Sequence, residues 1–190
     1  MSQDSQDLGQ ITRWVITGPS GSGKSTTARA IANTTGTSHV ELDSLFWGPH
    51  WTRRDPKTFD LELSTALNGD AWVVDGHYRK HWPRIWTKAE ALVWLDLPRP
   101  VTMRRLITRS LKRAITRRRL WHGNRETLRG TLLGRDALIW WAWKSHSERQ
   151  REVQDALRDP CHRHLKVFHL KTPSELNRFL RRLKSAQHHV

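Results

Sequence analysis

Five short apolar runs recur along the chain, separated by stretches with helical spacing. They are Thr12 to Thr17, Ser38 to Leu42, Ala71 to Val74, Ala91 to Leu95 and Leu165 to Leu170. Each is too short for an independent helix and reads as a buried strand. The intervening pattern predicts a helix from Lys24 to Asn33, closed near Gly36. A second helix starts at Pro56 and is stopped after Leu67 by Asn68-Gly69. A short one is predicted over Arg79 to Lys88, and a long basic one from Pro100 to about Arg118. More helix is predicted from Trp121 to Arg158, broken near Gly123, Gly130 and Gly134 and ended by Asp159-Pro160. A last helix begins at Pro173 with Thr172 as its N-cap. Between the second strand and the second helix, Ser44 to Trp51 reads as an aromatic loop with a Gly48-Pro49 break. Strands alternating with helices specify an α/β fold: a five-stranded parallel sheet with helices on both faces, in three layers. No repeat or linker divides the 190 residues, so one domain is expected.

Ligands of such sheets gather beyond the carboxyl ends of the strands. Those ends carry Gly18 to Ser25, Asp43, Asp75 and Asp96. Gly18-Pro19-Ser20-Gly21-Ser22-Gly23-Lys24-Ser25 fits G-x-x-x-x-G-K-[ST] at every fixed position. It follows Trp14-Val15-Ile16 and opens the first helix, which is the setting this motif requires. Glycines let several backbone N–H groups converge on one centre at the positive end of a helix dipole. Gly18, Ser20, Gly21, Ser22, Gly23, Lys24, Ser25 and Thr26 are therefore the candidate phosphate contacts of a P-loop NTPase. Lys24 can reach the β- and γ-phosphates of ATP, and the Ser25 hydroxyl can ligate Mg²⁺.

Phosphoryl transfer needs in-line positioning, Mg²⁺ and positive charge around the migrating group. A second metal contact should come from a strand-ending carboxylate. Asp75 and Asp96 both fit; spacing does not choose, and the phosphate loop on the same sheet favours Asp75. Arg105, Arg109 and Arg113 recur every four residues and share a helix face, which Arg117 extends. Arg105 and Arg109 are the candidate triphosphate contacts. Val101, Ile107, Leu111 and Ile115 are expected to fill much of the buried side. Residues 118–150 occupy the place of a short, helical, arginine-rich lid, with Arg125, Arg129, Arg135 and Arg149 as candidate γ-phosphate contacts. No cysteine cluster is present, so the lid holds no zinc. Trp140-Trp141-Ala142-Trp143 reads as packing more than as base stacking. On the acceptor side, Asp43 can orient or deprotonate a hydroxyl. Trp47 and Trp51 either stack on a ring or wall off the core. His50, His77 and His81 read as structural.

Val74-Asp75-Gly76-His77-Tyr78-Arg79 resembles the Asp-Gly-aromatic-Pro-Arg stretch of adenylate-kinase-type nucleotide kinases. Tyr78 stands where that family has proline, and His77 replaces the aromatic. The resemblance implies that Asp75 acts near Mg²⁺ and that Arg79 grips the acceptor. Leu95-Asp96-Leu97-Pro98 followed by Arg105 and Arg109 is similar to the same family's next strand and helix, whose paired arginines meet adenine and phosphates. Leu42 to Trp51, Trp72 to Tyr78 and Trp94 to Pro98 together resemble bacterial topology modulation protein-like ATPases, a subgroup of adenylate-kinase-like proteins.

Composition modifies this picture at three points. Lys and Arg number 33 against 18 Asp and Glu, a formal charge of +15. Arg99 to Arg119 contains no acid. Such a surface attracts polyanions, so a nucleic-acid-associated ATPase stands beside the kinase reading, and a non-catalytic nucleotide-binding regulator is a third. Eleven Trp compensate for a hydrophobic share of only 36%. The single Cys161 allows no internal disulfide and suits a reducing compartment. Met1 to Gln10 lacks an apolar segment and is expected to be a disordered lead, not a signal peptide. No apolar run spans a bilayer, so no membrane partner and a cytoplasmic location are expected. The leading expectation is an ATP- and Mg²⁺-dependent phosphotransferase. Its acceptor is a nucleoside monophosphate or a small hydroxyl compound, with Lys24, Asp75, Arg105 and Arg109 on the donor side and Asp43, Trp47 and Arg79 facing the acceptor.

Overall fold

The computed structural model describes residues 8–127 and 138–187. Its strands are β1 (Arg13–Thr17), β2 (Ser38–Glu41), β3 (Trp72–Asp75), β4 (Ala91–Leu95) and β5 (Lys166–Leu170). They pair in the order β2-β3-β1-β4-β5, every pair parallel. Helices are α1 (Lys24–Thr35), α2 (Leu42–Phe46), α3 (Pro56–Ala66), α4 (Trp82–Trp86), α5 (Arg99–Ile115), α6 (Leu138–Arg158) and α7 (Pro173–Gln187). This is the three-layer α/β fold of P-loop NTPases.

Alternation along the strands divides the core into two. Trp14, Ile16, Val73, Ala91, Val93 and Leu95 face α1 and α7, meeting Ile31, Phe179 and Leu183. Val15, Trp72, Val74, Leu92 and Trp94 face the opposite side, meeting Phe59 and Leu63 of α3, Trp82 and Trp86 of α4, and Val153 of α6. Trp14, Trp72 and Trp86 are fully buried. Each removes roughly 150–250 Å² from water, worth on the order of 4–6 kcal/mol. A few indoles thus supply much of the driving force in a chain short of aliphatic residues.

Several expected boundaries shift. Residues 8–10 are helical and Leu8 is buried in the first core, so the disordered lead does not extend to Gln10. Gln187 at the end of α7 donates to Gly9 O at 3.1 Å and ties the two ends of the described chain together. Asp43 is the second residue of α2, just past the strand that was expected to end on it. The short helix over 79–88 divides into a 3₁₀ turn (Arg79–His81) and α4. After α5 the chain makes another 3₁₀ turn (Trp121–Gly123), and α6 is the next helix among the described residues. Gly130 and Gly134 lie outside the described residues.

The buried side of α5 also differs. Thr102, Met103, Leu106 and Ser110 are buried, whereas Ile115 is 74% exposed and Val101, Ile107 and Leu111 are only partly covered. The reason is packing against the phosphate loop. A Cβ on Gly21 would lie 2.2 Å from Thr102 O and 3.0 Å from Leu106 Cβ. Thr102 and Leu106 therefore meet the loop, while Met103 and Leu106 also pack on Ala142, Leu138 and Ile139 of α6. Among the described residues, no helix is long and apolar enough to cross a membrane.

Gly21 has φ +81° as well as this backbone contact. Gly21→Ala should destabilise the fold by roughly 2–5 kcal/mol through left-handed strain and overpacking. Urea unfolding checks this; an unchanged midpoint would contradict the packing of α5 on the loop.

Candidate active site

The phosphate loop lies between β1 and α1. A Cβ on Gly18 (φ +146°) would fall 2.5 Å from Leu95 O, so the loop is wedged between β4 and α5 by two glycines. Ser22 N donates to Pro19 O at 3.2 Å. Among the described residues, the N–H groups of Gly21, Gly23, Lys24, Ser25 and Thr26 find no protein acceptor. Unspent donors at a helix N-terminus are what an anion requires. Ser22 Oγ is buried within the loop and also lacks a partner. Lys24 Nζ donates to Pro19 O at 3.0 Å. Burial, and after it the charge of Arg149, holds the Lys24 amine down at about 8; Asp43 and Asp75 pull the other way.

Asp75 ends β3 and is buried. Its Oδ2 accepts from Ser25 Oγ at 2.6 Å, and its Oδ1 lies 2.7 Å from His39 Nε2. Hydroxyl and carboxylate oxygens are the hard donors Mg²⁺ takes, so Ser25 and Asp75 fit that ion. Asp96 is committed elsewhere. Gln150 Nε2 donates to its Oδ1 at 2.5 Å, and His169 Nε2 lies 2.8 Å from its Oδ2.

Asp43 is one of the charges that act on Lys24. Tyr78 donates to Asp43 Oδ1 at 2.6 Å, and burial together with that carboxylate drives the phenol's pKa strongly upward. His77 bridges Thr17 Oγ1 at 3.2 Å and Glu152 Oε2 at 2.9 Å, against the edge of Trp82. Burial first, then Arg149 and Lys24, pushes its pKa far down, so it is neutral and structural. Arg105 Nη1 lies 3.4 Å from Ser22 O, at the loop. Arg109 is exposed, and the charges of Arg113, Glu126, Asp43 and Glu41 reach its guanidinium. Arg149 of α6 joins this group: Asp43, Tyr78 and Glu152 act on it, and it acts on Lys24. Of the lid arginines it is the one at the loop; Arg129 and Arg135 lie outside the described residues.

Arg79 stands apart. Its side chain is 72% exposed and meets only Glu152, at 3.5 Å. Trp47 packs edge-on against Phe46 and Trp51. Trp51 continues that row to Trp121. Here the segment after α5 is clasped to the aromatic loop. Asn124 Nδ2 donates to Gly48 O at 2.8 Å and its Oδ1 accepts from Trp51 N at 3.0 Å. Trp121 Nε1 donates to Glu41 Oε2 at 2.9 Å, and His122 Nε2 lies 3.1 Å from Ser44 O. His50, Trp51 and His122 all have positive φ, a strained state that this clasp holds in place. Nothing in the sequence pattern singles out His39, Tyr78's bond to Asp43, or Asn124, because their partners lie 35 to 76 residues away. Trp140, Trp141 and Trp143 are 44–48% exposed, contrary to the packing expectation. Cations cover their faces instead: Lys144 on Trp140, Arg149 on Trp141 and Arg99 on Trp143.

A cavity of about 400 Å³ lies along α6, lined by Arg79, Glu148, Arg151, Glu152, Asp155 and Asp159 among others. It includes neither the phosphate loop nor Asp43 and Asp75.

Among solved structures, a gluconokinase from Sinorhizobium meliloti 1021 matches with a TM-score of 0.51 and 18% identity, over 94% of this chain and 93% of that one. A shikimate kinase from Acinetobacter baumannii in complex with shikimate gives 0.50 and 14%, over 94% of each chain. A shikimate kinase from Bacteroides thetaiotaomicron gives 0.50 and 15%, over 94% and 99%. No protein-family model and no curated protein matches the sequence. At these identities the likeness is one of fold, and the fold is that of P-loop small-molecule kinases.

Lys24 gives this site a pH signature. A polyphosphate beside the amine raises its pKa from about 8. MgATP binding at pH 8 should therefore take up about half a proton, and affinity should fall as pH rises through 8. Calorimetry in buffers of different ionisation enthalpy measures the uptake. Lys24→Met should abolish it, and zero uptake by the unmodified protein would contradict the placement of Lys24.

Proposed function

We propose that the chain is an ATP- and Mg²⁺-dependent phosphotransferase whose acceptor is a hydroxyl group on a small anionic molecule. The observation that carries this reading is a phosphate loop whose amides are unspent, with Asp43 held by Tyr78 within electrostatic reach of its lysine. Tyr78 holds one oxygen of Asp43 and leaves the other for a substrate proton. A nucleoside monophosphate needs no such base, because its phosphate is already nucleophilic; Asp43 therefore favours a hydroxyl. Structural neighbours named gluconokinase and shikimate kinase point the same way.

In the transfer, the acceptor hydroxyl oxygen bonds to the γ-phosphorus. The bond from that phosphorus to the β–γ bridging oxygen breaks, and ADP leaves with the electron pair. The hydroxyl proton passes to the free oxygen of Asp43. The loop amides hold the β-phosphate, while Lys24, Arg105, Arg109 and Arg149 spread positive charge around the migrating group. Ser25 and Asp75 would hold Mg²⁺, which neutralises charge on the triphosphate. Arg79 and Trp47 remain the acceptor-side candidates for gripping the rest of the molecule.

A second reading, a nucleic-acid-associated ATPase, is favoured by the exposed Trp140 and Trp143 with cations on their faces. Salt-dependent oligonucleotide binding without acceptor phosphorylation would select it.

ADP release is to be followed with a panel of hydroxy acids and nucleoside monophosphates. The kinase reading expects turnover with a hydroxy acid. It also expects Asp43→Asn to lower kcat by about 10²–10⁴-fold with MgATP affinity unchanged. Turnover confined to nucleoside monophosphates, indifferent to Asp43→Asn, would overturn the acceptor assignment.

A further inference from the structure

Arg149 is held in an unusual way for a residue in a cationic site. Lys24 lies close enough for its charge and that of Arg149 to oppose each other. Among the described residues, the Arg149 guanidinium makes no hydrogen bond or ion pair. Glu152, the acid with the strongest pull on it, is already shared by His77 at 2.9 Å and Arg79 at 3.5 Å. What the guanidinium does rest on is the ring of Trp141, with Cζ over it at 4.5 Å from the ring centroid. Trp141 lies eight residues earlier on α6, so Arg149 reaches back along its own helix to that face.

A guanidinium has a face and an edge, and only the edge donates hydrogen bonds. A carboxylate partner consumes edge donors; an aromatic ring occupies the face and leaves all five free. From this geometry we infer that Trp141 is a positioning residue, which holds Arg149 by its face so that its donor edge is open to an anion at the phosphate loop. The role of that anion in catalysis rests on the kinase reading, but the positioning itself does not.

A phenyl ring at 141 keeps a π face and a leucine does not, so the two variants separate positioning from mere bulk. Binding of inorganic tripolyphosphate is read by calorimetry in the unmodified protein, Trp141→Phe, Trp141→Leu, Arg149→Ala and the Trp141→Leu/Arg149→Ala double variant. Trp143→Leu removes an equally exposed indole whose cation is Arg99, and serves as the control for lost surface. Trp141→Leu should weaken binding about threefold to thirtyfold, Trp141→Phe much less, and Trp143→Leu not at all. In the Arg149→Ala background, Trp141→Leu should have no further effect. Equal losses for Phe and Leu, or a full loss that persists without Arg149, would overturn the inference. If a phosphate acceptor is found, the same cycle is read on kcat and KM. Absence of turnover with every acceptor would defeat the kinase reading and leave the tripolyphosphate cycle to decide the role of Trp141.

Discussion

Two backbone approaches too close for any side chain fix the centre of this molecule. Gly18 lies against the carbonyl of Leu95 and Gly21 against that of Thr102. These contacts seat the loop between β4 and α5, and they dictate which face of α5 turns inward. They also leave Gly23, Lys24, Ser25 and Thr26 with amides that nothing in the described protein accepts. The arginine row of α5 is then carried over the loop, with Arg105 at Ser22 and Arg109 beside Asp43. The phosphate site is thus a consequence of packing, and the charges follow from it.

The electrostatics are unbalanced in a definite direction. Lys24, Arg109 and Arg149 all feel the charge of Asp43, and Lys24 also that of Asp75, which already serves Ser25 and His39. Arg113 is the arginine of the row with a close acid, Glu126 at 2.7 Å. Like charges held this close, and partly shielded from water, repel one another until a polyanion enters. Asn124 and the Trp47–Trp51–Trp121 row hold the acceptor side and the stem after α5 together around this cluster. On the proposed kinase reading, the cluster would take the polyanion and the clasp would border the acceptor.

Local chemistry was legible in the sequence and long-range chemistry was not. The loop from Gly18 to Ser25 announces itself because every group it needs lies within one strand–turn–helix unit. Asp75 and Asp96 share that sheet edge and spacing does not separate them; the structure puts Asp75 at Ser25 and Asp96 with Gln150 and His169. The phase of α5 was misread because Val101, Ile107, Leu111 and Ile115 make as good an apolar stripe as Met103 and Leu106. The loop and α6 packed against the helix decide between them. The exposed indoles of α6 looked like core because Trp usually is, and their cations come from both near and distant positions. Arg149 stood among four equivalent lid arginines until the fold brought α6 to Lys24.

The central claim is that the amides from Gly21 to Thr26 wait for a polyphosphate. Amide hydrogen exchange of this segment, with and without MgATP, tests it most directly. The account predicts that exchange at Gly21, Gly23, Lys24, Ser25 and Thr26 slows markedly on adding MgATP and that Lys24→Met reduces this protection. Unchanged exchange at those amides, at nucleotide concentrations that saturate any binding, would contradict it.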